Sequence, residues 1–184
     1  MKIITKEEFE HEKYKYQKLI KEGALFIYPT DTIYGLSCDA TNIDAVRLLR
    51  EIKQKEGPLS VHVPSKEWIK EHCILDEKWL EKLPGPYTLI VKVKSGAVCK
   101  LVNPGERTLG VRIPDHWTSK CVEECGFPII TTSVNKSSEN FMTSAESIDP
   151  EIAIHIAFMI SEGEKKGRPS TIIDTTKGGV IKQR

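Results

Sequence analysis

An α/β fold built on a mixed sheet, in one domain spanning residues 1–184, is what this sequence predicts, and three observations lead there. Short apolar runs bounded by Gly, Pro, Asn or Asp alternate with amphipathic stretches of helical period, the pattern of α/β layering. Strand-like runs crowd together late in the chain, which favours a mixed sheet over a purely parallel one. The length, 184 residues with 39% hydrophobic content, is enough to bury one full core. The chain shows no internal repeat, low-complexity tract or linker.

Thr5-Lys6-Glu7-Glu8 has the form of a capping box and Gly23 is a natural stop, so residues 6–22 read as one amphipathic helix. Residues 24–28 form a strand that Pro29 ends, because proline has no N–H for a central ladder and biases Tyr28 towards extended backbone. Asn42 caps a second helix in which Ala45, Val46, Leu48, Leu49 and Ile52 recur at helical spacing, with Arg47, Arg50, Glu51 and Lys53 towards solvent. Residues 59–63 are a short strand, Ser65 and Asp76 start two short helices, and residues 87–93 are a strand rich in β-branched side chains. A loop over 95–108 leads into a strand at 109–113, a helix over 115–125 closed by Gly126, and a strand at 129–134. Thr143-Ser144-Ala145-Glu146 is a second capping box, and Pro150 is expected to interrupt or end what it starts. Residues 152–160 suit helix or strand, with strand favoured at the end; residues 170–174, a Gly178-Gly179 turn and Val180-Ile181 complete the chain. The hydrophilic segments 136–140 and 163–168 are candidates for mobile loops over a site.

A formal net charge of +1 does not support a role in coating nucleic acid, so any polyanion site must be local. The charged N-terminus and the lack of a long apolar run lead us to expect a soluble, cytoplasmic protein without membrane association. Five cysteines, Cys38, Cys73, Cys99, Cys121 and Cys125, do not make a disulfide framework. Cys121 and Cys125 share a helix face, but no second Cys/His pair completes a zinc site.

The richest stretch is Tyr28-Pro29-Thr30-Asp31-Thr32-Ile33-Tyr34-Gly35-Leu36, where an apolar strand empties into hydroxyls, a carboxylate and a glycine. It reads either as a polar loop or as a site at a strand tip. Arg112, between Val111 and Ile113, must leave the sheet at an edge or face an anion, since a buried unpaired guanidinium is very costly. Lys53 and Lys55 sit at a helix C-terminus, where cations are welcome with or without a ligand. Ser133 and Asn135, two apart, project to one side of an extended chain and can reach one phosphate or ribose, or simply close a turn. His62 on a strand is a structural residue or a ligand contact. Walker, Gly-x-Ser-x-Gly and zincin patterns are all absent from the sequence.

The stretch from Tyr28 to Leu36 with Cys38-Asp39-Ala40, then Pro84-Gly85-Pro86-Tyr87-Thr88, Gly110-Val111-Arg112-Ile113-Pro114 and Thr131-Thr132-Ser133-Val134-Asn135, resembles in that order the YrdC family of threonylcarbamoyl-AMP synthases. The resemblance runs from about residue 20 to the C-terminus. It implies a YrdC-like fold, a twisted open mixed β-sheet with flanking helices and a positively charged cavity. It also implies a nucleotidyltransferase that converts L-threonine, bicarbonate and ATP into threonylcarbamoyl-AMP and pyrophosphate, for the threonylcarbamoyladenosine modification of tRNA. Implied partners are those substrates, Mg2+ with the ATP, a downstream tRNA threonylcarbamoyl transferase complex, and possible tRNA or double-stranded RNA. The chain ends near Arg184, so the additional C-terminal domain of longer relatives is expected to be absent.

Carried over position by position, the resemblance assigns Lys53, Lys55 and Arg112 to catalysis. Thr30, Tyr34, His62, Thr88, Arg112, Thr131 and Ser170 fall to threonine, with Arg112 on its carboxylate. Lys53, Lys55, Ser133, Asn135 and Lys182 fall to ATP, and no residue falls to a metal; Lys182 or Arg184 stands for a terminal arginine of the family. Lys55 replaces the arginine of a Lys-x-Arg element, the loop after it is about two residues shorter, and Gly57 stands where some relatives place asparagine. Two other readings fit the same residues: a catalytically weak or inactive RNA-binding protein of this fold, and another carbamate-adenylating or hydrolytic enzyme.

Overall fold

The structure, a computed structural model, describes residues 1–182, the side chain of Lys182 apart. Its strands are β1 (Lys2–Ile4), β2 (Leu25–Tyr28), β3 (Gly35–Asp39), β4 (Ser60–His62), β5 (Cys73–Ile74), β6 (Tyr87–Val93), β7 (Thr108–Arg112), β8 (Ile129–Ser133), β9 (Ile156–Ile160), β10 (Thr171–Asp174) and β11 (Val180–Lys182). The α-helices are α1 (Lys6–His11), α2 (Lys13–Lys21), α3 (Ile43–Lys53), α4 (Lys66–His72), α5 (Thr118–Cys125) and α6 (Pro150–Ala153). The strands form one sheet in the order β1-β9-β2-β3-β8-β4-β7-β6-β10-β11, with β5 on β6. Pairing is mixed, as expected: β1 and β2 run parallel to β9, β4 to β7 and β6 to β10, whereas β3 is antiparallel to both its neighbours.

The two-residue period of the strands divides the sheet into unlike faces. Ile27, Leu36, Cys38, Val61, Leu89, Val91, Leu109, Val111 and Ile130 pack on one face beneath Ala45, Val46 and Leu49 of α3 and Ile69 of α4. On the opposite face, Phe26, Tyr28, Ile129, Phe158 and Ile160 meet Phe9, Tyr16 and Ile20 of α1 and α2 and Val122 of α5. Beyond that second cluster the same face carries Gly35, Ser60, His62, Thr88, Gly110, Arg112, Thr131 and Ser133. These small or polar residues form a floor where a core would otherwise continue.

Local structure follows the sequence in most places and departs from it in a few. Thr5 forms the capping box with Glu8, but the expected helix over 6–22 breaks at Glu12 into α1 and α2. There the Glu12 carboxylate turns back to accept hydrogen bonds from Lys15 and Tyr16 at 2.8 and 3.3 Å. Asn42 caps α3 by accepting from the Asp44 and Ala45 amides, and the helix ends with Gln54 in the left-handed region (φ 50°), without a glycine. The turn started at Ser144 ends at Ser147, ahead of Pro150 as expected, and Pro150 then opens α6 behind its Asp149 cap, because the first helical turn needs no N–H from that position. Strands β1, β3 and β5 were not anticipated from sequence; residues 156–160 are the strand expected there. Among the described residues, no helix is long and apolar enough to cross a membrane.

Candidate active site

A cleft of about 400 Å³, part of it open to solvent, lies on the polar floor and is lined by Thr30, Tyr34, His62, Thr88, Arg112, Thr131, Ser133 and Ser170. All seven residues assigned to threonine are therefore brought together, from six separated stretches of chain. Sequence reasoning missed Ser60, which also lines the cleft. It precedes His62 by two residues and so faces the same way, a signal that strand alternation carries.

The loop after β2 is folded by its own side chains. Thr30 donates its hydroxyl to the Ile33 carbonyl at 2.8 Å and accepts from the Thr32 amide at 3.1 Å, turning the chain back into β3. Gly35 then passes so close to Thr131 that a Cβ there would overlap the threonine methyl, which is why this position of the floor carries no side chain. Tyr34 is fully buried, and its hydroxyl donates to the Gly163 carbonyl at 2.7 Å while accepting from the Glu162 amide at 2.8 Å. It lines the cleft and fastens the segment at 162–163 to the chain entering β3. That segment is also held where Glu162 accepts from Trp117 Nε1 and from Lys165 (3.0 Å), and where Gly167 packs on the Thr32 carbonyl too closely for any Cβ.

Arg112 is 6% exposed and faces an anion, as the cost of burying it requires, but the anion in the structure is Asp31. Its guanidinium also donates to Thr32 Oγ1 at 3.0 Å and to the Gly85 carbonyl at 3.3 Å. Asp31 accepts the Asp115 amide at 3.1 Å as well, and Gly85 donates its own amide to Ile113 at 2.9 Å. Three of the four motif segments thus meet at one ion pair. Across the floor, Thr88 and Ser170 share a hydroxyl–hydroxyl bond of 2.7 Å. His62, 3% exposed, bonds through Nδ1 to the Tyr28 hydroxyl, which lies 2.8 Å from Thr131 Oγ1. Burial first, and then the nearby Arg112 and His116, hold the His62 pKa well below the ordinary histidine value, and burial raises that of Tyr28.

The two lysines part company. Lys53 was expected on the triphosphate, but it is 2% exposed and lies outside the cleft lining. Its ammonium donates to the Ser133 carbonyl at 2.6 Å, to the Asn135 carbonyl at 2.8 Å and to Asn135 Oδ1 at 2.8 Å. Ser133 in turn donates to Asn135 Oδ1 at 2.6 Å, and Asn135 Nδ2 to the Glu139 carbonyl at 2.7 Å. The pairing of Ser133 with Asn135 is present, with Lys53 as the buried tie behind it. The left-handed Gln54 reverses the chain, so that Lys55 lines a neighbouring groove with Thr108, Gly110 and Ile172, which meets the cleft at Ser60 and Thr88.

Arg50 corrects another expectation. Placed towards solvent by helical periodicity, its guanidinium instead donates to the carbonyls of Lys55, Glu56, Gly57, Leu101 and Val102 at 2.6–3.1 Å. It holds the shortened loop after Lys55 closed. The segment 136–140, expected over the site, is tied instead to α3 by the Ser137 amide on the Lys53 carbonyl at 3.0 Å and to α6 by Lys136 on Glu151. Lys182 ends β11, its side chain and Arg184 lying outside the described residues.

The family model for Sua5, YciO and YrdC, described as "Telomere recombination", matches residues 18–184. A Methanocaldococcus jannaschii protein provisionally assigned as a threonylcarbamoyl-AMP synthase is 35% identical in an alignment of 176 positions that covers 91% of this chain and 82% of that one. The Bacillus subtilis threonylcarbamoyl-AMP synthase is 30% identical over 90% of this chain, which spans about half of it (53%). Among solved structures, Pyrococcus abyssi Sua5 complexed with L-threonine aligns with a TM-score of 0.76 and 30% identity over 88% of this chain and 50% of that one. The ordered motifs, the sheet that gathers them and the match over most of its length place this chain in the Sua5/YciO/YrdC family.

Proposed function

We propose that the chain is an L-threonylcarbamoyladenylate synthase, forming threonylcarbamoyl-AMP and pyrophosphate from L-threonine, bicarbonate and ATP. The observation that carries this reading is a small cleft whose buried guanidinium, imidazole and hydroxyls are a match for a compact hydroxy-amino acid, beside a groove lined by Lys55 that shares Ser60 and Thr88 with it. Relatives named threonylcarbamoyl-AMP synthase support it, as does a related structure that holds L-threonine.

In this reading the threonine amine joins bicarbonate carbon with loss of water, giving a carbamate. A carbamate oxygen then attacks the α-phosphorus of ATP, and the bond to the β-phosphate oxygen breaks as pyrophosphate leaves. Such a step needs alignment and charge stabilisation more than a strong base. Arg112 takes the threonine carboxylate, beside or in exchange with Asp31. Thr30, Thr88, Thr131 and Ser170 surround the rest of the amino acid, His62 donates to one of its oxygens, and the Tyr34 ring closes one side. Lys55 draws the triphosphate along the groove, and Ser133 and Asn135, stiffened by Lys53, form the wall nearest the nucleotide. Mg2+ enters this reading as the ion bound to the ATP phosphates. The product calls for a transferase that passes the threonylcarbamoyl group to tRNA. Pyrophosphate release measured with each substrate omitted in turn is the test. Release should need threonine and bicarbonate together, and equal release with neither would refute the proposal.

A further inference from the structure

We propose that Tyr28 and Thr131 form a positioning relay that sets the tautomer of His62, so that the cleft meets an imidazole N–H donor at Nε2. Tyr28 is the last residue of β2 and pairs with Gly35 of β3, whose partner on the far side is Ser133, two residues beyond Thr131. Strand alternation therefore turns the Tyr28 side chain onto the floor, where its hydroxyl sits between His62 Nδ1 and Thr131 Oγ1, 2.8 Å from the latter. Tyr28 and His62 are 2% and 3% exposed, so the bond between them is shielded from bulk water, with half-buried Thr131 at the open end of the chain.

Such a chain has two polarities, and acid–base strength chooses between them. A phenol is a stronger donor than an aliphatic hydroxyl, and an unprotonated imidazole nitrogen is a stronger acceptor than a hydroxyl oxygen. The better arrangement runs from the Thr131 hydroxyl to the Tyr28 oxygen, and from the Tyr28 hydroxyl to His62 Nδ1. With Nδ1 accepting, the ring's proton is on Nε2. Among the described residues Nδ1 alone has a protein hydrogen-bond partner, which leaves Nε2–H for the cleft that His62 lines. The imidazolium form, a donor at both nitrogens, would force the chain into its weaker polarity, with Tyr28 donating to Thr131, and would add a second buried cation near Arg112. The position beside His62 therefore takes an oxygen acceptor and rejects an ammonium group, which orients an amino acid with an oxygen towards His62 and its amine elsewhere. That the oxygen belongs to L-threonine rests on the function proposed above; the tautomer does not.

Protein labelled with 15N-histidine, without ligand, should show His62 protonated at Nε2 with a hydrogen-bonded Nδ1 in long-range proton–nitrogen spectra. Protonation at Nδ1 in the wild type would overturn the relay. Tyr28→Phe should lose the hydrogen-bond shift of Nδ1 and raise the calorimetric dissociation constant for threonine about three- to tenfold, the range of one lost hydrogen bond, with ATP binding unchanged. Unaltered threonine affinity in folded Tyr28→Phe would overturn the positioning role. Should that variant not fold, Thr131→Ser, which keeps the hydroxyl, should match the wild-type Nδ1 shift, and Thr131→Val should displace it; identical shifts in the two would overturn the relay. The Nε2–H tautomer with no threonine binding by the wild type would support the relay and refute the substrate.

Discussion

Lys53→Met separates a buried tie from a phosphate contact, because the two roles predict different losses. Methionine keeps most of the aliphatic stem, so little packing is lost, while the ammonium that serves the Ser133 carbonyl and both oxygens of Asn135 disappears. Hydrogen bonds to a charged group are worth roughly 1.5–3 kcal/mol each, but Ser133 and Asn135 are only half-buried and water can reach part of the vacated turn. A net loss of about 2–4 kcal/mol follows, or roughly 4–16 °C in Tm for a domain of this size. Chemical and thermal unfolding would measure it, and calorimetry with ATP should show weaker binding as the turn at 133–135 loosens. A direct phosphate contact predicts the reverse: full stability, since a cation released from a polar site costs the fold little, and lost nucleotide binding. Lys53→Met that unfolds within about 0.5 kcal/mol of wild type yet fails to bind ATP would refute the reasoning.

Arg112→Ala should abolish the threonine response of pyrophosphate release and destabilise the fold by roughly 1.5–3 kcal/mol, because Asp31, partly buried, loses its cation and keeps only the Asp115 amide. Arg112→Ala with Asp31→Asn should recover much of that stability in urea and none of the threonine response; recovery of both would make the pair purely structural. Lys55→Arg should tighten ATP in calorimetry if the groove admits the fork, and Lys55→Ala should weaken ATP without touching threonine affinity; three equal affinities would take Lys55 out of the nucleotide site. Below about pH 6.5 the unfolded chain takes up protons that folded His62 and His116, both with lowered pKa values through burial, refuse. Stability should therefore fall as pH drops from 6.5, by up to ~1.4 kcal/mol per unit for each histidine, and His62→Gln should make urea midpoints flatter between pH 5 and 7.

The strands rich in β-branched and aromatic residues and the side-chain caps at Thr5, Asn42, Ser65 and Asp76 were legible because each depends on neighbours within a few positions. β3 was not, since Gly35, Ser37 and Asp39 look like loop; its period-two placement of Leu36 and Cys38 in the core was the signal available. The site residues were legible as a set through their motifs, and eight of them, the seven assigned to threonine and Ser133, do line one cleft. What each touches was not. The anion facing Arg112 comes from 81 residues away, and the acceptors of Lys53 from 80 and 82. Helical periodicity put Arg50 in water for the same reason: it places a side chain on a helix but cannot know that a loop's carbonyls will return to that face.

The position of the cleft follows from where the apolar packing on its face stops. The apolar cluster under α1, α2 and α5 draws its sheet residues from β1, β9 and β2, together with Ile129 of β8. Among the described residues β4, β7 and β6 contribute nothing to that cluster, and an exposed apolar surface there would invite association. Serine, histidine, glycine, arginine and threonine on the floor answer that constraint, yet they cannot hold the strands' ends together as a core does. Charged ties do so instead, with Asp31 on Arg112 at the tip of β7, Lys53 at the end of β8 and Arg50 around the loop that enters β4. Each tie is a cation whose partners are fixed oxygens of the chain, so the cleft keeps its shape without a hydrophobic filling and remains electrostatically suited to anions. Stability and chemistry at this face therefore rest on the same charges, and a substitution that relieves one of them alters both.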